Sequence, residues 1–275
     1  MINLLVALNA EARPLIRHLG LKQQTTARGF RLYTRADINL TVCGSGRLAA
    51  ASGTCWLAAI TQSQRDTSWL NIGSAGHANR QPGTGLIVER LRDSDDTRNR
   101  YPAIPSGWAG AGTDLVTVTK PETTYPQDSA YDMEASAFYD SAARFSLSDL
   151  ICCYKIVSDN PAHSPDTLDA SQLEQLVAHQ LPDVEMLIEA LRESQAPLMQ
   201  DRLLIQDWQQ RLVSGRRFSN QEQIRLSRLI QRALALHQTS LLQIDIDLPT
   251  RQAHSRWLNQ LENQIDAVAS GFTRT

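Results

Sequence analysis

An α/β fold with a mostly parallel or mixed central sheet, followed by a helical extension, is predicted by three features of the sequence. Short β-rich runs alternate with helical patterns as far as about residue 194. Polar and glycine-containing clusters follow directly on several of the β-rich runs. Beyond Ala196-Pro197 the texture changes: glycine becomes scarce, glutamine and arginine common, and the segments read as helices.

Taken in order, INLLVA (2–7) reads as the first core strand and is followed by a helix near 10–19. INLTVC (38–43) leads into an alanine-rich helix at 47–60. SWLNIG (68–73), LIVER (86–90), LVTVT (115–119) and ICCYKIV (151–157) supply further strands. Met133, Ala137, Phe138, Ala142 and Phe145 mark a helix over 132–145. Residues 92–114, rich in charge, glycine and proline, read as a long loop of the kind that often carries function. Helices at 167–180 and 183–194, the second starting after Pro182, close a first domain of residues 1–195.

Residues 196–275 form the extension, with helices at 198–213, 221–237 and 251–268. Ser219 and Glu222 are spaced as a capping box, whereas LLQIDIDL (241–248) alternates like a strand. Trp208, Leu212, Ile224, Leu229, Trp257, Leu261 and Ile265 fall at helical spacings that suit burial against the first domain.

Lys plus Arg total 27 against 29 Asp plus Glu, so the net charge of -2 offers no general attraction to nucleic acid or to an anionic membrane. The extension's mild arginine excess does not alter that. The apolar N-terminal run is far too short to span a bilayer. Cys43, Cys55, Cys152 and Cys153 have no metal-like spacing, and adjacent Cys152 and Cys153 point to opposite faces of a strand. Reduced, buried thiols in a cytoplasmic protein are expected, with no metal and no organic cofactor. A small, near-neutral ligand is the partner that suits this balance.

In open α/β sheets ligands gather beyond the carboxyl ends of the strands. Four clusters occupy such places: Asn9 to Glu11, Gly44-Ser45-Gly46-Arg47, Gly73-Ser74-Ala75-Gly76, and Ser158-Asp159-Asn160. Glycine allows tight turns and close approach to backbone N–H groups, and the helix after Gly46 presents its positive end to an anion or a sugar oxygen. Glu134, at the start of its helix, would by itself favour the helix dipole, and Asp159 would by itself serve as a cap.

The order of A-L-N-A-E (7–11), W-L-N-I-G-S-A-G (69–76) with Gly83 and LIVER, Y-D-M-E-A-S-A (131–137) and K-I-V-S-D-N (155–160) resembles the purine nucleoside phosphorylase and nucleoside hydrolase superfamily. The likeness is strongest to its methylthioadenosine/S-adenosylhomocysteine nucleosidase branch and covers about residues 1–193. It implies a three-layer nucleoside phosphorylase-like sandwich, a homodimer, and cleavage of the N-glycosidic bond of a nucleoside.

By this resemblance Asp159 is the general acid to the leaving base, and Glu134 accepts hydrogen bonds from the ribose hydroxyls, with Met133 packed on the sugar. Glu11 orients or deprotonates the attacking water, helped by Ser74 and by Lys155, which stands where the nucleosidases carry arginine. Gly76 and Ser158 belong to the same substrate site. Asn71 stands where the bacterial phosphorylases carry arginine and the nucleosidases asparagine, which favours hydrolysis. Phosphorolysis is the alternative, with phosphate gathered near Gly44, Ser45, Gly46, Arg47 and Lys155.

Thr119-Lys120-Pro121 stands where the family's base-contacting aromatic is expected, leaving Tyr101, Trp108 or Tyr125 to supply a stacking face. His77 replaces a second glycine and brings a near-neutral titrating group close to the site. The shortened base region and the extension together admit a second function: a catalytically inactive nucleoside-binding sensor or scaffold.

Overall fold

The computed structural model describes residues 1–25, 27–165, 168–214, 218–242 and 250–272. It divides into two compact units, Met1–Ala196 and Pro197–Thr275.

The first unit is built on nine strands: β1 (Ile2–Val6), β2 (Lys22–Gln23), β3 (Arg31–Arg35), β4 (Ile38–Val42), β5 (Ser68–His77), β6 (Gly85–Asp93), β7 (Gly112–Thr117), β8 (Ala130–Asp132) and β9 (Ile151–Asp159). Their order is β2-β3-β4-β1-β5-β8-β7-β6-β9. β1 runs parallel to β4 and β5, and β5 runs parallel to β9 while meeting β8 antiparallel. Because β9 pairs with both β5 and β6, the five strands β5, β8, β7, β6 and β9 close into a ring.

Helices cover both faces: α1 (Asn9–Leu19), α4 (Ala170–His179) and the first part of α5 (Leu181–Val213) on one, α2 (Arg47–Ile60) and α3 (Ala135–Ala142) on the other. The two-residue period of the strands sorts their side chains between these layers. Along β9, Cys152, Tyr154 and Ile156 pack in the α1/α4/α5 layer, and Ile151 and Cys153 pack in the α2/α3 layer. The three-layer α/β sandwich expected from the sequence is thus present.

Several local expectations need correction. Gly73 to Gly76 do not form a turn after a strand but continue β5, whose register against β9 slips between Ala75 and Gly76. The helix expected at 132–145 spans only Ala135–Ala142, because Asp132 ends β8 and Glu134 is the N-cap residue. β2, β3 and the three-residue β8 were not foreseen. Cys55 is exposed, unlike the other three thiols, all of them free.

The break expected at Pro197 is absent, since α5 continues through that residue to Val213. Proline removes one intrahelical donor there, a loss that the rest of a 33-residue helix outweighs. In the second unit α5 is joined by α6 (Asn220–Ala235) and α7 (Arg251–Phe272). The Ser219–Glu222 capping box forms as spaced, with the Ser219 N–H and Oγ donating to Glu222 Oε2 at 2.8 and 2.7 Å. Leu212, Leu229, Trp257, Leu261 and Ile265 pack with Leu226, Ile230 and Leu258 into a core of the unit's own, while Ile224 is 56% exposed. Leu241 and Leu242 lie in a 3-10 turn, and the rest of the expected strand at 241–248 falls outside the described residues. No described helix is long and apolar enough to cross a membrane.

One close approach inside the first unit sets a sharp packing limit. A Cβ at Gly85 would clash with the Tyr154 hydroxyl, which lies 2.7 Å from both Gln180 Oε1 and Asp183 Oδ2 and can donate its one proton to either. Gly85→Ala is therefore expected to lower unfolding stability by about 1–3 kcal/mol, read as a lower urea midpoint with an unchanged slope.

Candidate functional site

Three carboxylates line one cavity of about 310 Å³ in the first unit: Glu11, Glu134 and Asp159. Each reaches it from a different element. Glu11 stands in the first turn of α1, which follows β1 after two residues. Its side chain folds back, so that Oε2 accepts from the N–H groups of Ala7 (3.1 Å) and Leu8 (2.9 Å). Oε1 accepts from the Ser74 N–H and Oγ, both at 2.8 Å. Four donors and the positive end of α1 thus hold a carboxylate that is only 2% exposed. A Cβ at Gly73 would come within 3.3 Å of Glu11 Oε1, which is one reason for glycine beside it.

Glu134 lies between β8 and α3. Its Oε1 accepts from Ser45 Oγ at 2.9 Å and from the Gly46 N–H at 2.6 Å. Gly46 is the N-cap of α2 with φ at 94°, a conformation that glycine adopts at no steric cost. The anion at the positive end of α2 is therefore the protein's own Glu134. Burial and the neighbouring Asp132 raise the Glu134 carboxyl above its ordinary value, against the opposing pull of Lys155 and of the Gly46 and Ser45 hydrogen bonds.

Asp159 ends β9 and is 8% exposed. Ser158 Oγ donates to its Oδ1, and the Tyr125 hydroxyl donates to its Oδ2. Met133, Ser74, Gly76, Ser45 and Ser158 line the cavity with the three acids.

The remaining sequence candidates are placed differently. Lys155 does not reach the cavity wall: it is 1% exposed, pairs with Asp132 Oδ2 at 2.9 Å and donates to Asn71 Oδ1 at 2.7 Å. Asn71 in turn donates to the Leu5 carbonyl at 3.1 Å. Burial works against the Lys155 charge, but Asp132 and Glu134 outweigh it and hold the ammonium above its ordinary value. Arg47, read as a phosphate ligand, donates to Asp93 through Nε and Nη2 at 2.8 and 2.6 Å and to Asp95 at 2.9 Å. Thr119 Oγ1, Ser94 Oγ and the Thr117 carbonyl take further bonds from it. Gly44 keeps the turn after β4, with φ at 90° and its N–H on the Ala7 carbonyl.

Of the three aromatic candidates, Tyr101 is 62% exposed and Trp108 packs edge-on to Tyr154 in the core, with ring centroids 5.7 Å apart. Tyr125 meets the site through its hydroxyl. His77 is buried, and its Nδ1 accepts the N–H groups of Asn79 and Arg80 at 3.1 and 3.3 Å, so it anchors the turn after β5. Burial lowers its pKa, which keeps the ring neutral.

Sequence reasoning overlooked Asp132, Glu122 and the acid contact of Tyr125. Asp132 lies beside the cavity and accepts from Thr117 Oγ1 at 2.7 Å and from the Ala135 N–H at 2.8 Å, thereby capping α3. Its place directly before Met133-Glu134 was the available signal. Glu122 is a fourth acidic residue on the cavity wall, while the Asp132 side chain is 0% exposed and turned to Lys155, and no Lys or Arg lines the cavity among the described residues. Such a wall suits a ligand that develops positive charge.

No protein-family model matches the sequence, and no curated protein matches it. Many solved structures do. A 5'-methylthioadenosine nucleosidase from Arabidopsis thaliana, in apo form, matches with a TM-score of 0.58 at 17% identity, over 69% of this chain and 95% of that one. A futalosine hydrolase mutant from Helicobacter pylori matches with a TM-score of 0.55 at 11% identity, over 70% and 98%. A methylthioadenosine/S-adenosylhomocysteine nucleosidase from Colwellia psychrerythraea, in complex with adenine, matches with a TM-score of 0.52 at 16% identity, over 69% and 93%. At these identities the likeness is one of architecture. The chain carries the nucleoside phosphorylase-like fold of the nucleosidases.

Proposed function

We propose that the protein hydrolyses the N-glycosidic bond of a nucleoside. The observation that carries this reading is the acidic cavity: Glu11, Glu134 and Asp159 meet there, and the nearby cations are neutralised elsewhere. Bond cleavage makes the sugar cationic and the departing base anionic, so it needs negative charge beside the sugar, a proton donor for the base and a nucleophile.

In this mechanism the C1'–N bond breaks with its electron pair going to the base, and Asp159 protonates a ring nitrogen of that base. Glu134 accepts the ribose hydroxyls and faces the developing cation. Water attacks C1' and gives a proton to Glu11, with Ser74 holding the carboxylate in place. Water is favoured over phosphate because a phosphate needs fixed positive charge. Arg47 is engaged by Asp93 and Asp95, Lys155 by Asp132, and the α2 N-terminus by Glu134. The adenine bound by the Colwellia neighbour supports a purine as the first base to try.

Incubation with a panel of purine and pyrimidine nucleosides is expected to release free base at rates that phosphate does not change. Phosphate-dependent release would replace hydrolysis by phosphorolysis. Thermal stabilisation by nucleosides without any product would leave the sensor reading instead.

Asp159→Asn and Glu11→Gln are each expected to lower kcat by about 10²–10⁴-fold, with KM changed only a few-fold. Full activity in either variant would remove that residue from its role.

The raised Glu134 pKa sets the acid side of the profile. As pH falls through it, Glu134 gains a proton and loses its charge and part of its acceptor capacity. kcat/KM should therefore fall with a midpoint above 4.5, the ordinary glutamate value, and a midpoint at or below it would contradict the assignment.

A further inference from the structure

Tyr125 is 7% exposed and does not line the cavity, yet its hydroxyl donates to Asp159 Oδ2 from behind the cavity wall. Three independent features serve this contact. First, the tyrosine backbone has φ at 47°, a left-handed conformation uncommon for a bulky residue and therefore imposed by its surroundings. Second, Gly76 leaves room for the pair: a Cβ there would lie 2.7 Å from Tyr125 Cε1 and 2.5 Å from Asp159 Oδ2. Third, Tyr131 on β8 packs edge-on to the Tyr125 ring at 5.9 Å and fixes its plane. Ser158 holds the other carboxylate oxygen, so the rotation of the Asp159 side chain is set from both sides.

We infer that Tyr125 is a positioning residue for Asp159, orienting the carboxyl group and stabilising the carboxylate left when its proton passes to the departing base. This rests on the nucleosidase reading above. The proton moves from the Asp159 carboxyl to a base nitrogen, and the Tyr125 and Ser158 hydroxyls, which keep their own protons, strengthen their hydrogen bonds to the oxygens that gain charge. The phenol is suited to keeping its proton: burial and then the Asp159 carboxylate raise its pKa. The titratable groups facing the pair are Glu122 from the Tyr125 loop and Tyr131 from β8, while Pro165, Leu168 and Leu173 bring no charge from the α4 side.

Tyr125→Phe removes only the hydroxyl and is the direct test, with Ser158→Ala as a second arm that opens the other side of the carboxyl group. The readouts are kcat, KM and the pH profile for the nucleoside best turned over, together with calorimetric binding of adenine. Expected for Tyr125→Phe are a kcat about tenfold lower, KM within about twofold, an alkaline limb displaced along the pH axis, and adenine bound about tenfold more weakly. Ser158→Ala should act in the same direction. A folded Tyr125→Phe protein with wild-type kcat, pH profile and adenine affinity overturns the inference. Should the wild type turn over no nucleoside, the nucleosidase reading fails; adenine affinity then decides on Tyr125, with tenfold weakening supporting its hold on Asp159 and unchanged affinity overturning it. A wild-type protein that neither turns over a nucleoside nor binds adenine overturns both.

Discussion

Between β8 and β9, which both pair with β5, the Lys155 ammonium meets the Asp132 carboxylate at 2.9 Å, with side chains 1% and 0% exposed. Neither group could be buried alone, since leaving one partner uncompensated costs about 3–5 kcal/mol. The pair therefore fixes both strands at once. Through Asp132 it reaches Thr117 on β7 and the first amide of α3, and through Lys155 it reaches Asn71 on β5 and, one bond further, the β1 backbone. Glu134 stands two residues from Asp132, so the pair also fixes where that carboxylate enters the cavity. Asp132 raises its proton affinity and Lys155 limits the rise.

The same economy governs the positive charges around the site. An α/β protein of this kind offers helix N-termini and arginines as ready anion sites, and here the chain supplies its own anions to them. Glu11 occupies the start of α1, Glu134 the start of α2 and Asp132 the start of α3. Arg47, beside the second of these, is forked onto Asp93, which also accepts from Ser136. What remains facing the cavity is negative, a field that favours a ligand developing positive charge over a free anion.

Much of this was legible in the sequence because it depends on short-range order. β1, β4, β5 and β9 each contain an apolar, β-prone stretch, and the gathering of Glu11, Glu134 and Asp159 was expected from the order of the short motifs that carry them. What escaped depends on contacts distant along the chain. Nothing near Lys155 says that Asp132 will cancel its charge, and nothing near Arg47 announces Asp93. Tyr125 was read for its ring face, whereas its contribution is an oxygen aimed at a residue 34 positions away. The helix stop expected at Pro197 failed for the opposite reason: a local rule about one missing donor yielded to the many bonds of a long helix. β8 is too short for any periodicity to show.

The closure of β5, β8, β7, β6 and β9 into a ring reaches beyond the site. An open sheet ends in two rows of unpaired amides and carbonyls, either of which can recruit a strand from another chain. Here β9, last in the order, returns to β5 and has no free row to offer. The other end is β2, two residues long and carrying Lys22. Both are devices by which β proteins avoid edge-to-edge aggregation, so the strands that carry Asp159 and Asp132 are shielded from mispairing by the same topology that brings them together.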